Sequence, residues 1–239
     1  MTQPPVWPTS AAELIDAQHA LAAAAPDPWT PPDTSIAVGA CAVVFPRHQG
    51  GRGAYGDPAW AAAAVLRRRR VLAEATIATT AAGHYEPGLL ALREGPALEA
   101  AVRGLALAPD VLLVDATARD HPRRAGLALH LGAVIGLPTV GVTHRPLLAH
   151  GSWPPDERGA HSPLLLAGDC VGAWLRTRRG ARPLAIHPAW RTTLEAAIEV
   201  VLASTHVHRT PEPIRHARRL ARVMRAANGN EVASSARDK

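Results

Sequence analysis

Two periods of apolar residues run along the chain, and they separate strands from helices. Ser10-Ala11-Ala12-Glu13 is a capping-box pattern that opens an alanine-rich helix to about Ala24, ended by Pro26, Pro28, Pro31 and Pro32. Ile36 to Phe45 is a near-continuous small and β-branched run, which predicts a buried strand. Gly50-Gly51-Arg52-Gly53 and Gly56-Asp57 supply turn chemistry. Trp60–Leu66 and Val71–Thr79 predict two more strands, and the short link at Arg67–Arg70 makes them antiparallel neighbours.

After the turn Tyr85-Glu86-Pro87-Gly88 the spacing becomes helical over Leu89–Leu105, with Leu89, Leu92, Leu98 and Val102 on one side. Val111–Val114 is a short apolar strand ending in Asp115. Pro122 is expected to begin a helix that passes Ala128, Leu131 and Ile135 and stops at Gly136; Pro138–Val142 is the next strand. Strand, helix, strand implies parallel neighbours and a right-handed crossover. A hairpin of Leu164–Leu166 and Cys170–Thr177, a helix Thr192–Leu202 and a basic helix from Pro213 to about Met224 follow. The pattern predicts an α/β fold: a mixed sheet, with a three-strand antiparallel meander followed by parallel strands, flanked by helices. The expected organisation is an N-terminal extension with a helix over 1–33, a main domain over 34–226 and a polar, disordered tail over 227–239.

Composition narrows the class. With 239 residues and 47% of them hydrophobic, the chain can bury a core, so global disorder is excluded. Charge, Pro or Gly interrupts every long apolar run, so no spanning helix and no membrane partner is expected. Met1–Ser10 lacks a basic cluster and is followed by Glu13 and Asp16, unlike a signal peptide. Two cysteines, Cys41 and Cys170, make no disulfide framework, and a cytoplasmic monomer is the expectation. The net charge of +6 is carried by arginine, since Lys239 is the only lysine. That balance favours a polyanionic partner, nucleic acid first, although GC-rich coding would also yield such a composition. An aromatic content of 4% argues against a single-strand stacking platform.

Several residues could carry chemistry. Asp115 closes a buried strand at its carboxyl end, where open α/β sheets place their sites; a site residue and a loop cap are equal readings there. Glu94 alone reads as a helix-face charge, but Gly95-Pro96 beside it breaks helix propensity by roughly several kcal/mol, as functional sites do. His121 is a ligand, a phosphate contact or a cap, and Arg123 and Arg124 beside it would make a helix start an anion site. Tyr85 is an exposed turn residue or a wedge against a base. His206, His208 and Arg209 read better as a surface turn than as a metal site, and Cys41 as a small core residue. Arg67–Arg70, and the face bearing Arg215, His216, Arg218, Arg219 and Arg222, are solvated or contact phosphates.

The stretch Tyr85-Glu86-Pro87-Gly88-Leu89-Leu90-Ala91-Leu92-Arg93-Glu94-Gly95-Pro96 resembles the Tyr-x-Pro-Gly…Arg-Glu-Gly-Pro signature of endonuclease V. Pro109–Asp115 with His121–Gly132 is similar to that family's next block, and Leu137–Val142, Arg176-Thr177 and Arg209–Pro213 follow in order, so the resemblance spans about Ile36 to Arg219. It implies a ribonuclease H-like fold and metal-dependent phosphodiester cleavage in DNA, or RNA, on the 3′ side of deoxyinosine or inosine. It implies Mg²⁺ or Mn²⁺, held by Glu94 and Asp115, because carboxylates suit hard cations that activate water. Glu94, Asp115 and His144, the last at the family's lysine position, would be catalytic. Tyr85 would be the wedge, with Pro87, Gly88, Ala116 and Ala118 around the base and His121, Arg123 and Arg124 holding the loop or a phosphate.

The sequence also departs from that pattern. The family's first-strand metal-binding Asp falls on Ala42, or on Cys41 with a shift of one. Its Asp-Gly-x-Gly loop reads Asp115-Ala116-Thr117-Ala118, and the two added methyls obstruct backbone approach to a flipped base. A later Gly-His pair reads Ala189-Trp190, with His187 nearby. Asp120 or His144 are the substitute ligands on offer, and imidazole suits Zn²⁺ or Fe²⁺ better than Mn²⁺. Two functions follow: an endonuclease with an altered site, or a catalytically impaired homologue that binds nucleic acid without cutting.

Overall fold

The computed structural model describes residues 6–32, 35–46 and 53–235. The boundary expected at 33–34, part of the Gly50–Gly53 turn and the last four residues of the expected tail lie outside the described residues. Strands β1 (Ala37–Val44), β2 (Pro58–Arg67) and β3 (Arg70–Thr80) form the antiparallel meander. Helix α2 (Leu90–Arg103) then leads to β4 (Val111–Val114), and α3 (Leu127–Ile135) to β5 (Thr139–Thr143). β4 runs parallel to both β1 and β5. β6 (His161–Leu166), β7 (Asp169–Leu175) and β8 (Leu184–Pro188) extend the sheet antiparallel, giving the order β3-β2-β1-β4-β5-β8-β7-β6. This is the mixed sheet expected from the sequence.

The near-continuous apolar runs arise because helices cover both faces. On one face α1 (Ala11–Ala23), α2 and α3 enclose Leu14, Leu98, Leu112 and Leu129. On the other, α4 (Leu194–Ala203) and α5 (Glu212–Ser235) enclose Leu113, Ile186, Val201 and Ile214. β2 is buried on both faces, and its alanines, 59 and 61–64, let α2 and α5 approach it closely. α5 turns Ile214, Ala217 and Ala221 inward at helical spacing.

Five elements differ from the sequence reading. α3 begins at Leu127, not Pro122. The chain from His121 to Gly126 is a folded-back loop, in which Arg124 takes φ +56° and Gly126 N–H bonds the Ala118 carbonyl. β8 was not foreseen, because a five-residue run ending in Pro188 lacks any period. α5 continues past Met224 to Ser235, since after Pro213 no proline stops it. In the hairpin, β6 begins earlier and β7 ends earlier than expected, around the turn Ala167-Gly168.

Candidate functional site

At the carboxyl ends of β1 and β4 the sheet opens into a cleft of about 400 Å³. β4 delivers Asp115, α2 delivers Glu94, the end of β5 delivers His144, and α5 delivers Arg218 and Arg222. The sequence therefore foresaw that Glu94, Asp115 and His144 meet. It missed Arg218, whose guanidinium donates to the Asp115 carboxylate and forms an ion pair with it. The two residues are 103 positions apart, so only the fold joins them.

Glu94 accepts no hydrogen bond among the described residues. Its dense surroundings push the carboxyl up to about 7, and the charge of Asp115 adds to the rise while Arg93 opposes it. His144 is pushed down by burial and by Arg209 and Arg218, and its Nδ1 accepts from Arg209. Cys41 lies against the acids, and burial pushes its thiol up, so it stays an unreactive core thiol.

These residues do not fit a divalent ion. β1 and β4 pair Cys41 with Val114, so one residue on, Ala42 stands level with Asp115. A methyl group occupies the place where a first-strand acid would complete the set. Asp120, the substitute ligand on offer, is fully buried, and its two oxygens accept from the backbone N–H groups of Leu147, Leu148 and Ala149 at 2.6–2.8 Å. Among the described residues no three His, Cys, Asp or Glu side chains are arranged to hold a metal. The positive charge beside Asp115 belongs to Arg218.

A second cavity, about 250 Å³, adjoins the cleft, with Leu127 lining both. Tyr85, Pro87, Gly88, Ala116 and His121, which the sequence names as substrate-binding candidates, line it; so do Gln18, Thr143 and Leu147, which the sequence does not single out. It is smaller than the usual drug-sized pocket of about 300–1,000 Å³ and mostly apolar, as a slot for one base would be. The Gly88 carbonyl accepts from Gln18 at 3.0 Å, Arg123 at 2.8 Å and His121 at 3.2 Å. His121 Nδ1 accepts the Arg123 N–H, so the Nε2–H is the donor to Gly88. Gly88 itself has φ +79°, which favours glycine.

Two expectations change here, and for Arg123 the contacts favour one of its two readings. Arg123 is turned back onto Gly88 and Gln18, so it holds the loop rather than a phosphate. No helix starts at Pro122, so His121–Arg124 is not a helix-terminus anion site; Arg124 reaches the Leu166 carbonyl and Asp169 instead. Ala118 is fully buried in the core, and only the methyl of Ala116 lies on the cavity wall. The irregular Gly95 also has a packing cause. A Cβ there would run into the Trp7 ring, which stacks on His130 at 4.6 Å and donates to Glu99.

Residues 38–219 match the family described as Endonuclease V. Endonuclease V of Xanthomonas campestris pv. campestris strain 8004 is 44% identical over 137 residues, 57% of this chain and 58% of that protein. The chain thus matches somewhat over half the length of that curated relative. A crystal structure of endonuclease V from Streptomyces avermitilis has 36% identity and a TM-score of 0.82, covering 93% of this chain and 96% of that one. An endonuclease V of Ciona intestinalis, solved with DNA containing an inosine, has 20% identity and a TM-score of 0.74 over 89% of this chain and 96% of that one. The ordered blocks, the mixed sheet and a match across most of its length place one conclusion beyond the individual residues: the chain belongs to the endonuclease V family.

Proposed function

We propose that the protein binds nucleic acid carrying inosine or deoxyinosine, and that its acid pair does not hydrolyse the strand through a divalent ion. The observation that carries this reading is the Arg218–Asp115 ion pair in a cleft where Ala42 replaces an acid. A guanidinium already balances Asp115, and Glu94 gives up its proton reluctantly. The cleft therefore lacks the concentrated negative charge that draws a hard cation. The neighbouring base-sized cavity keeps its wall, and its Gly88 edge is fixed by three donors before any ligand arrives. Arg222 lines the adjoining cleft without an ion-pair partner among the described residues and is the group there that a phosphate would meet. The Ciona relative was solved in complex with DNA containing an inosine, and the family resemblance points the same way.

The competing reading is metal-dependent cleavage 3′ to inosine, with Mg²⁺ or Mn²⁺, and it draws on Glu94, Asp115 and His144 sharing one cleft. One pair of assays separates the two. Fluorescence anisotropy compares strands with a single inosine or adenine, in chelator and in Mg²⁺ or Mn²⁺; denaturing gels read nicks. The proposal expects tighter binding to inosine, unchanged by chelator, and no nicks. Metal-dependent nicks that vanish in Glu94→Ala and Asp115→Ala overturn it in favour of the nuclease. Equal binding of both strands overturns it as well.

A further inference from the structure

The β2–β3 turn, the α4–α5 loop and the first turns of α5 enclose another cleft, of about 340 Å³. Arg69 comes from the turn, His206 and His208 from the loop, and Arg215 and Arg219 from α5. Nothing in the sequence joins these three segments; the fold does. The acids nearby are already engaged, Glu212 by Arg215 at 3.1 Å and Glu74 by His216. Arg67–Arg70 have no ion-pair partner among the described residues. Arg68 holds φ +56° in a two-residue turn, where Gly or Asn is the favoured residue. Four arginines, Arg67–Arg70, thus stand at this tip, and one of them, Arg68, takes the turn position that favours another residue.

One helix lines both clefts. Arg215 and Arg219 face this cleft, and Arg218 and Arg222 face the acid cleft. From Arg215 to Arg222 is two turns, about 10 Å along the axis. A chain of phosphates leaving one cleft therefore meets the other within about two turns of α5. Arginine takes phosphate oxygens in pairs, and such contacts position a strand without reading it.

We infer that this cleft is a second binding site, for the phosphate backbone of nucleic acid, taken without regard to base. It rests on the nucleic-acid reading above and extends it to a surface that touches no base. The probe is an oligonucleotide in which abasic spacers replace every base, with binding followed by anisotropy from about 50 to 200 mM salt. Arg69→Glu/Arg219→Glu changes exposed side chains only. It should weaken binding at least about tenfold at low salt and reduce the salt slope by about 1.4, two single-strand phosphate contacts. Arg103→Glu, on the opposite face of the sheet, should stay within about twofold of wild type. The inference is overturned if the wild type ignores the abasic strand, if the cleft variant keeps its affinity, or if Arg103→Glu loses as much. A cleft variant that keeps abasic affinity while the wild type still prefers inosine sinks this inference alone. Cleft-dependent abasic binding with no inosine preference sinks the proposed function alone.

Discussion

Replacing Glu94 with Gln should stabilise the protein at about pH 8 and leave it unchanged near pH 4.5. The folded carboxyl titrates at about 7 and the ordinary value is 4.5, a rise caused first by burial and then by Asp115. Between those values the native state holds a proton that the unfolded chain has released, so stability falls as pH rises through the window. The gap of about 2.5 units sets a ceiling of about 3 kcal/mol above pH 7. Gln has the shape of the neutral acid and carries no such penalty. For a chain of this size the gain corresponds to about 6–12 °C in Tm. Urea or thermal unfolding of both proteins at about pH 4.5, 6 and 8, in chelator and then in millimolar Mn²⁺, measures it. An ion resting on Glu94 would need the ionised carboxylate, and Glu94→Gln would then lose stability in Mn²⁺. A pH-independent difference, or a variant less stable at pH 8, would refute the reasoning.

His130 gives the opposite pH dependence. Burial pushes it down to about 4 and neither ring nitrogen has a hydrogen-bond partner among the described residues, so wild-type stability falls as pH drops below 6.5. His130→Phe keeps the stack on Trp7, and its advantage over wild type should be about 2 kcal/mol larger at pH 5 than at pH 8, read by urea unfolding. Gly95→Ala drives a methyl into Trp7 and should cost about 1–3 kcal/mol; in a Trp7→Ala background the same change should cost much less, the coupling being measured by a double-mutant cycle.

Much of the architecture was legible because burial on both sheet faces writes apolar runs into the sequence, and the meander's short links leave few ways to connect them. β8 was hidden by its brevity, and α3 was misplaced because Pro122 reads equally as a helix start and as a loop turn. The acid cleft was legible as two carboxylates and a histidine on three elements. Arg218 was not, because a basic helix face carries no record of which acid it meets. Gln18 was hidden too: only the packed structure shows that the N-terminal helix braces the Gly88 loop. Gly95 shows the reverse case, a broken local rule beside Glu94 whose direct cause is the Trp7 ring.

Electron paramagnetic resonance of Mn²⁺ titrated into the purified protein tests the central claim, that arginine supplies the cation of this cleft. The spectrum should remain that of the free ion, unaltered by Asp115→Asn. One tightly held Mn²⁺ per chain, released by Asp115→Asn or Glu94→Gln, would contradict it.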